Sequence, residues 1–486
     1  YGDQGEEEIV MPAPFGPENR GFKVMRGIVH LHSVYSHDGC DGKGMDEQGN
    51  INVVCFNQLR EALCKNGIDY AMMTDHPSNA KDQKIEDGML FKEDKGDTLI
   101  FDNDGNLFAN KITCKDAPVD HVFIYFGTEG SNNMPIGLSG KKGEKLPGEL
   151  FSSWFSDVEK GKERIKLIHE HDGFAFVAHS EEEMPEKMIE LGVDGMEIYN
   201  LHTNFMGIFD NPDNLFLVDR FMGDPGSTPP SDLSLMLFLK PVLKDVEKFD
   251  FIIPKKDIAV IAASDAHQNV EIPALCSEGL NDGGLCENLA KEYPNFANFL
   301  ITGGPVPLAD GERMDSYGRV FRWFSNWTLV PSDKPDDIRA TVGEGRIFAA
   351  FDLFGFPSDF DFFGYAGGKA IEMGEVFTAQ GEVKMTLYIR TPKVSPPFWW
   401  PMVGRIDESY LAEVTTKLFE VTDSGSKEIL SIAGQGKTAE ITVNTKAAYK
   451  AEVTIKPKHL KSRLKDLGNL ADQEYPFIYS NAIFVR

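Results

Sequence analysis

The sequence predicts an α/β barrel followed by an antiparallel β-sandwich. Two observations point to the barrel: short apolar strands alternate with helical stretches between residues 20 and 270, and metal-type side chains close most of those strands. A third points to the sandwich, because after about residue 355 strand-like runs and turn signals follow one another with little helical period.

Taken in order, Gly27 to Val29 runs into His30-Leu31-His32, Ile68 to Met73 into Thr74-Asp75-His76, and His121 to Phe126 into Gly127-Thr128-Glu129. Gly173 to Ala178 then leads into His179-Ser180, Val193 to Tyr199 into Asn200, and Ile258 to Ala263 into Ser264-Asp265-Ala266-His267. Between them Phe56 to Asn66, Leu150 to His171 and Met184 to Leu191 carry the apolar spacing of helices. Such alternation implies a parallel sheet, whose sites lie beyond the carboxyl ends of its strands. Strand ends delivering ligand-type side chains to one rim imply a barrel. The later strands are Lys384 to Arg390, Thr416 to Val421, Ala439 to Val443, Ala448 to Ile455 and Phe477 to Val485. Asp102-Asn103-Asp104-Gly105-Asn106 has the look of half a calcium loop, but no glutamate stands at its twelfth position, and a hairpin turn is the preferred reading.

At about 150 residues per domain, 486 residues allow two to four domains and a large core. A formal charge of −27 repels phosphate backbones and anionic lipid, so no nucleic-acid partner is expected. No window is long and apolar enough for a membrane span. The chain opens at Tyr1 with an acidic run from Gly2 to Glu8, which reads as an engineered start or as a processed chain whose leader is gone; export to the periplasm or outside the cell is the expectation, with the cytoplasm as the alternative. Six cysteines, Cys40, Cys55, Cys64, Cys114, Cys276 and Cys286, fit an oxidising compartment or a set of unpaired thiols. Cys276 and Cys286 bracket a Gly-rich loop, Gly279 to Gly284, short enough to be stapled, and no CxxC zinc spacing occurs.

Of 11 histidines, His30, His32, His76, His179 and His267 fall at or just after strand ends, where Glu129 and Asp265 join them. In an extended strand residues i and i+2 share a face, so His30 with His32, and Asp265 with His267, can grip one ion. Imidazole with carboxylate suits zinc, manganese or ferrous iron. His121 is excluded, because eight residues at about 3.3 Å put it roughly 26 Å from Glu129. His169 and His171 end a helix before a strand and belong to the opposite face. Arg319 and Arg322 are read as stacked on Trp323 or Phe324, or as a clamp for an anion.

His30-Leu31-His32, Ser36-His37-Asp38-Gly39, Thr74-Asp75-His76, Gly127-Thr128-Glu129, Ala178-His179 and Ser264-Asp265-Ala266-His267 together resemble the ordered motifs of the PHP (polymerase and histidinol phosphatase) superfamily over residues 20 to 355. The ending Tyr475 to Ile483 is similar to the tail of PHP proteins with an appended β domain. The resemblance implies a distorted (β/α)7 barrel over 21–355 after a tail of 1–20, with the β-sandwich over 356–486. It implies two or three divalent ions. His30, His32, Glu129 and Asp265 would hold one; Glu129 would bridge to a second on His179; His76, His267 and either His37 or Asp38 would hold a third. Asp75 would orient an imidazole. A further histidine usual in the family is missing from Asn132 to Leu138.

The expected activity is that of a metal-dependent phosphoesterase, in which metal-activated hydroxide attacks a small phosphate ester. Glu129, His179, Asp265 and His202 are the groups expected beside the reacting atoms. A carboxylic or carbamic ester hydrolase using the same site, and a non-catalytic extracellular binding protein with a structural metal site, are the two alternative readings.

Overall fold

The apolar runs become strands that are buried on both faces. The computed structural model describes residues 20–206, 217–272, 274, 276, 285–400 and 411–486. Its first strands are β1 (Lys23–Leu31), β2 (Tyr70–Met73), β3 (Thr98–Phe101), β4 (Leu107–Thr113), β5 (His121–Tyr125), β6 (Asn133–Ile136), β7 (Phe174–Val177), β8 (Gly195–Asn200) and β9 (Ala259–Ala266). Parallel pairs join β7 to β8, β8 to β9, β9 to β1, β1 to β2 and β2 to β5. Antiparallel β6 extends the sheet beyond β7, and the β3–β4 hairpin extends it beyond β5. A lone bridge, Phe126 to Leu138, links the chain after β5 to the chain after β6.

Successive strand residues part between two apolar clusters, as a period of two requires. Val29, Met72, Tyr125, Phe176 and Ile261 meet in one cluster, while Ile28, Ala71, Ile124, Val177 and Val260 belong to the other. Apolar contact on both faces is why these strands read as near-continuous hydrophobic runs. Gly27 allows the close approach of Tyr70, since a Cβ at Gly27 would lie 2.0 Å from the Tyr70 ring.

Helices Val53–Lys65, Val158–Glu170, Pro185–Leu191 and Leu243–Ile252 connect the strands. Asn52 caps the first by accepting from the Cys55 amide. The helix expected from residue 150 starts only at Val158, because Asp157 caps it there and Gly148–Phe151 forms a separate short turn. Asp102 closes the β3–β4 turn by accepting from the Asp104 and Asn106 amides, the arrangement expected of a hairpin. Among the described residues no helix is long and apolar enough to cross a membrane.

The remaining strands are β10 (Glu271–Ile272), β11 (Gly304–Pro305), β12 (Ser325–Val330), β13 (Ile347–Ala350), β14 (Phe356–Ser358), β15 (Asp361–Ala366), β16 (Lys369–Ile371), β17 (Val376–Phe377), β18 (Met385–Arg390), β19 (Lys393–Ser395), β20 (Glu413–Thr422), β21 (Gly425–Ala433), β22 (Thr438–Val443), β23 (Ala448–Lys456), β24 (Tyr475–Ser480) and β25 (Ile483–Val485). β16, β15, β18 and β22 form one antiparallel sheet. The other runs without a break through residue 355: the first half of β1 pairs with β12, β12 with β13, β13 with β24, β24 with β23, and β23 with β20. Asn481 fastens the late segment to the early one. Its Oδ1 accepts from the Val260 amide at 2.7 Å, and its Nδ2 donates to the carbonyls of Val260 and Ile347.

All six cysteines are paired, as Cys40–Cys55, Cys64–Cys114 and Cys276–Cys286. Arg319 and Arg322 do neither of the things expected of them. Arg319 is bound by Asp232 and Asp310, and Arg322 by Asp232 and Glu312, so nearby carboxylates take both guanidinium groups.

Candidate metal centre

Irregular backbone, rather than regular pleat, aims the candidate ligands. Between Val29 and Leu31 the register of β1 shifts against both β2 and β9. His30 sits in that irregularity at φ 61°, Asp265 lies at 47° in β9, and His179 lies at 46° just after β7. These left-handed conformations are uncommon outside glycine and concentrate at functional sites. His30 and His32 do come together, with ring centroids 5.1 Å apart. They do so through the irregularity, because β1 ends at Leu31 and the alternation of an extended strand does not reach His32.

Asp265 Oδ1 lies 3.2 Å from His30 Nε2, 3.5 Å from His32 Nε2 and 3.3 Å from His267 Nδ1. Glu129 faces two ways. Its Oε1 is 3.4 Å from His179 Nε2, while its Oε2 is 2.9 Å from His76 Nδ1 and 3.8 Å from both His30 Nε2 and His32 Nε2. Asp38 Oδ2 stands 3.4 Å from His267 Nε2 and 3.7 Å from His76 Nε2. Among the described residues four groups have ligand atoms close enough to share an ion: His30–His32–Asp265, His30–Glu129–His179, His32–His76–His267 and His37–Asp38–His76. His37 is 57% exposed at its side chain against 34% for Asp38, and it is Asp38 that also reaches His267.

Neighbouring side chains fix the imidazoles. The Ser36 hydroxyl contacts His32 Nδ1 at 2.8 Å and accepts from the His76 amide at 2.9 Å. Asp75 does not touch an imidazole through its carboxylate, contrary to expectation; it accepts from the Ser33 amide and hydroxyl and so holds the loop after His32. Glu197, fully buried in β8, contacts His30 Nδ1 at 2.5 Å. No sequence motif singled it out. The available signal was an acid inside the apolar run Gly195-Met196-Glu197-Ile198-Tyr199, a position that burial leaves open only to a partnered carboxylate.

The donor set fits divalent cations. Nε2 of His30 and of His32 are buried and make no hydrogen bond among the described residues, a cost that coordination would remove. The electrostatics agree. Burial disfavours a proton on His30, yet Asp265 and Glu197 outweigh it and hold the pKa well above the usual range. His76 is pushed up to about 10 against its own burial by Asp38 and Glu129, and His179 to about 9 by Glu129 and Glu197. Burial would raise Glu129, but contacts with His179, His30 and His76 hold it well below the carboxylate range. Burial instead holds His32 well below the usual range and lowers His267, so positive charge is favoured at His30, His76 and His179, where protons supply it if cations do not.

Among the other histidines, His121 opens β5 and packs on Phe123, His169 pairs with Asp194, and His171 contacts the Leu167 carbonyl; none belongs to a candidate ligand group. His202 falls in the short helix Leu201–Met206, and its side chain lies outside the described residues.

No protein-family model and no curated protein matches the chain. Among solved structures it is similar to a two-domain protein from Bacteroides vulgatus ATCC 8482 containing a predicted PHP-like metal-dependent phosphoesterase, at 12% identity and a TM-score of 0.31, over 99% of this chain and 100% of that one. A likeness at that score does not establish a shared fold.

Proposed function

We propose that this chain is a metal-dependent hydrolase of the PHP type acting on a small phosphate ester. The observation that carries the reading is the convergence of separate strand ends on the buried Nε2 atoms of His30 and His32, which make no hydrogen bond among the described residues, with Asp265 and Glu129 facing them. Bound divalent ions such as zinc, manganese or iron would supply water activated near neutral pH and neutralise charge on the ester oxygens. His30, His32, Asp265 and Glu129 hold one ion position. Glu129 turns its other oxygen toward His179, and Asp38, His76 and His267 form a third position. Positive charge concentrated there lets an acidic protein take a small anionic substrate, while a net charge of −27 disfavours a polymeric one.

The same reading takes β1, β2, β5, β6, β7, β8 and β9 as a distorted (β/α)7 barrel with the Phe126–Leu138 bridge as its seam, and the two later sheets as a β-sandwich domain. Three disulfides support export to an oxidising compartment.

The test is turnover of phosphate monoesters and diesters, beside carboxylic esters, by protein reconstituted with zinc, manganese or iron. Phosphate ester turnover is expected. His30→Ala and Asp265→Ala should lose metal and turnover while keeping their far-ultraviolet circular dichroism, and His121→Ala and His169→Ala should keep both. Inactivity toward every ester by metal-loaded protein would remove the hydrolase reading.

A further inference from the structure

Glu197 is tied to two ligand-bearing strand ends at once. Its Oε1 contacts His30 Nδ1 at 2.5 Å, and its Oε2 accepts from the His179 backbone amide at 2.8 Å and from Asn200 Nδ2 at 2.8 Å. Its own amide donates to the Ser180 hydroxyl at 3.0 Å, so the backbone of Glu197 is also tied to the chain that follows His179. The residue is 0% exposed, as is His30.

We infer that Glu197 is the positioning residue of the metal centre, setting His30 and His179 together. The inference rests on the metal-centre reading. A carboxylate against Nδ1 keeps the imidazole proton on that nitrogen, which leaves Nε2 as the lone-pair atom facing Asp265 and Glu129. The other oxygen, by accepting the His179 amide, holds that residue in the left-handed backbone at φ 46° that brings Nε2 to Glu129. One side chain thereby links the His30–His32–Asp265 position to the His30–Glu129–His179 position. Ser36 has the matching place on the far side, between His32 and His76, so the centre is held in two halves.

A glutamine at this position cannot serve both sides. With its amide nitrogen toward His30 it donates to Nδ1 and moves the ring proton to Nε2; with that nitrogen toward His179 it forfeits two accepted hydrogen bonds. Glu197→Gln is expected to weaken zinc or manganese binding about 10- to 100-fold, measured by chelator competition. Nitrogen-15 spectra of histidine-labelled, metal-free protein, taken above the pH at which His30 sheds its second proton, should show the remaining His30 proton on Nδ1 in the native chain and displaced in the variant. Glu197→Asp keeps charge and withdraws the carboxylate by one methylene, and should show the same loss if the glutamine variant fails to fold. Native metal affinity together with an unchanged His30 tautomer in a folded variant would overturn the inference. Should the native protein bind no metal, the metal-centre reading falls, while the tautomer measurement still decides whether Glu197 sets His30.

Discussion

Protons and cations compete for the same imidazole nitrogens in the centre. His76 at about 10 and His179 at about 9 are both protonated at neutral pH in the metal-free protein, because neighbouring carboxylates outweigh the burial that opposes the charge. Metal ligation requires neutral imidazole, so ion uptake expels these protons, and apparent affinity rises with pH until it passes those values. Calorimetric titration of zinc at pH 7 in buffers of different ionisation enthalpy should register protons released into buffer. Affinity should climb between pH 6 and pH 9, and a flat profile would contradict the electrostatics described. At this scale the sequence shows which residue types are available. It does not show partners, which is why no motif marks Glu197, why the carboxylate of Asp75 is expected on an imidazole but binds Ser33, and why His37 and Asp38 stand as alternatives until His267 is seen beside Asp38.

Strand ends and the loops beyond them carry the site, and they are stiffened where they bend. The loop holding Asp38 continues into Cys40 and Asp41 at φ 59° and 57°, pinned by amide donation from Cys40 to the His267 carbonyl and from Asp41 to that of Gln268. Cys40–Cys55 fastens this loop to the helix that starts at Val53, closing 15 residues of sequence separation. Replacing both cysteines by serine is expected to cost about 3 kcal/mol in denaturant unfolding. Metal content should fall first at the position formed by Asp38, His76 and His267, with His30, His32 and Asp265 still loaded, as elemental analysis of the folded variant would reveal. The elements themselves are legible, since the apolar runs Ile68 to Met73, His121 to Phe126 and Gly173 to Ala178 match β2, β5 and β7 to within two residues at either end. Their irregularities are not: the register shift after Val29 arises from how β1 meets β2 and β9, and no local pattern in His30-Leu31-His32 announces it.

Across the whole molecule, the last strands complete the sheet begun by the first. β24 pairs with β13, and Asn481 satisfies Val260 and Ile347 through three hydrogen bonds. Asn481→Ala would leave buried backbone groups without partners, and a loss of about 3 kcal/mol in unfolding free energy is expected. An unchanged denaturation midpoint would show that the late segment is not fastened there. The change of texture after residue 355 was plain in the sequence, but the continuity of hydrogen bonding across it was not. Strand pairing between residues more than 100 apart in the chain, such as Phe348 and Ser480, leaves no trace in either segment taken alone.

By itself the sequence determined the strand and helix order, the split between an early α/β and a late all-β texture, and the sorting of histidines and acids to strand ends. Those properties follow from periodicity and residue chemistry, which are local. Tertiary structure alone decided that Asp265 faces both His30 and His32, that Glu129 looks toward His179 and His76 at once, that six cysteines pair as they do, and that Glu197 stands behind two ligands. Each of these depends on distances between segments remote in sequence, and those distances exist only once the sheet has brought its strands side by side.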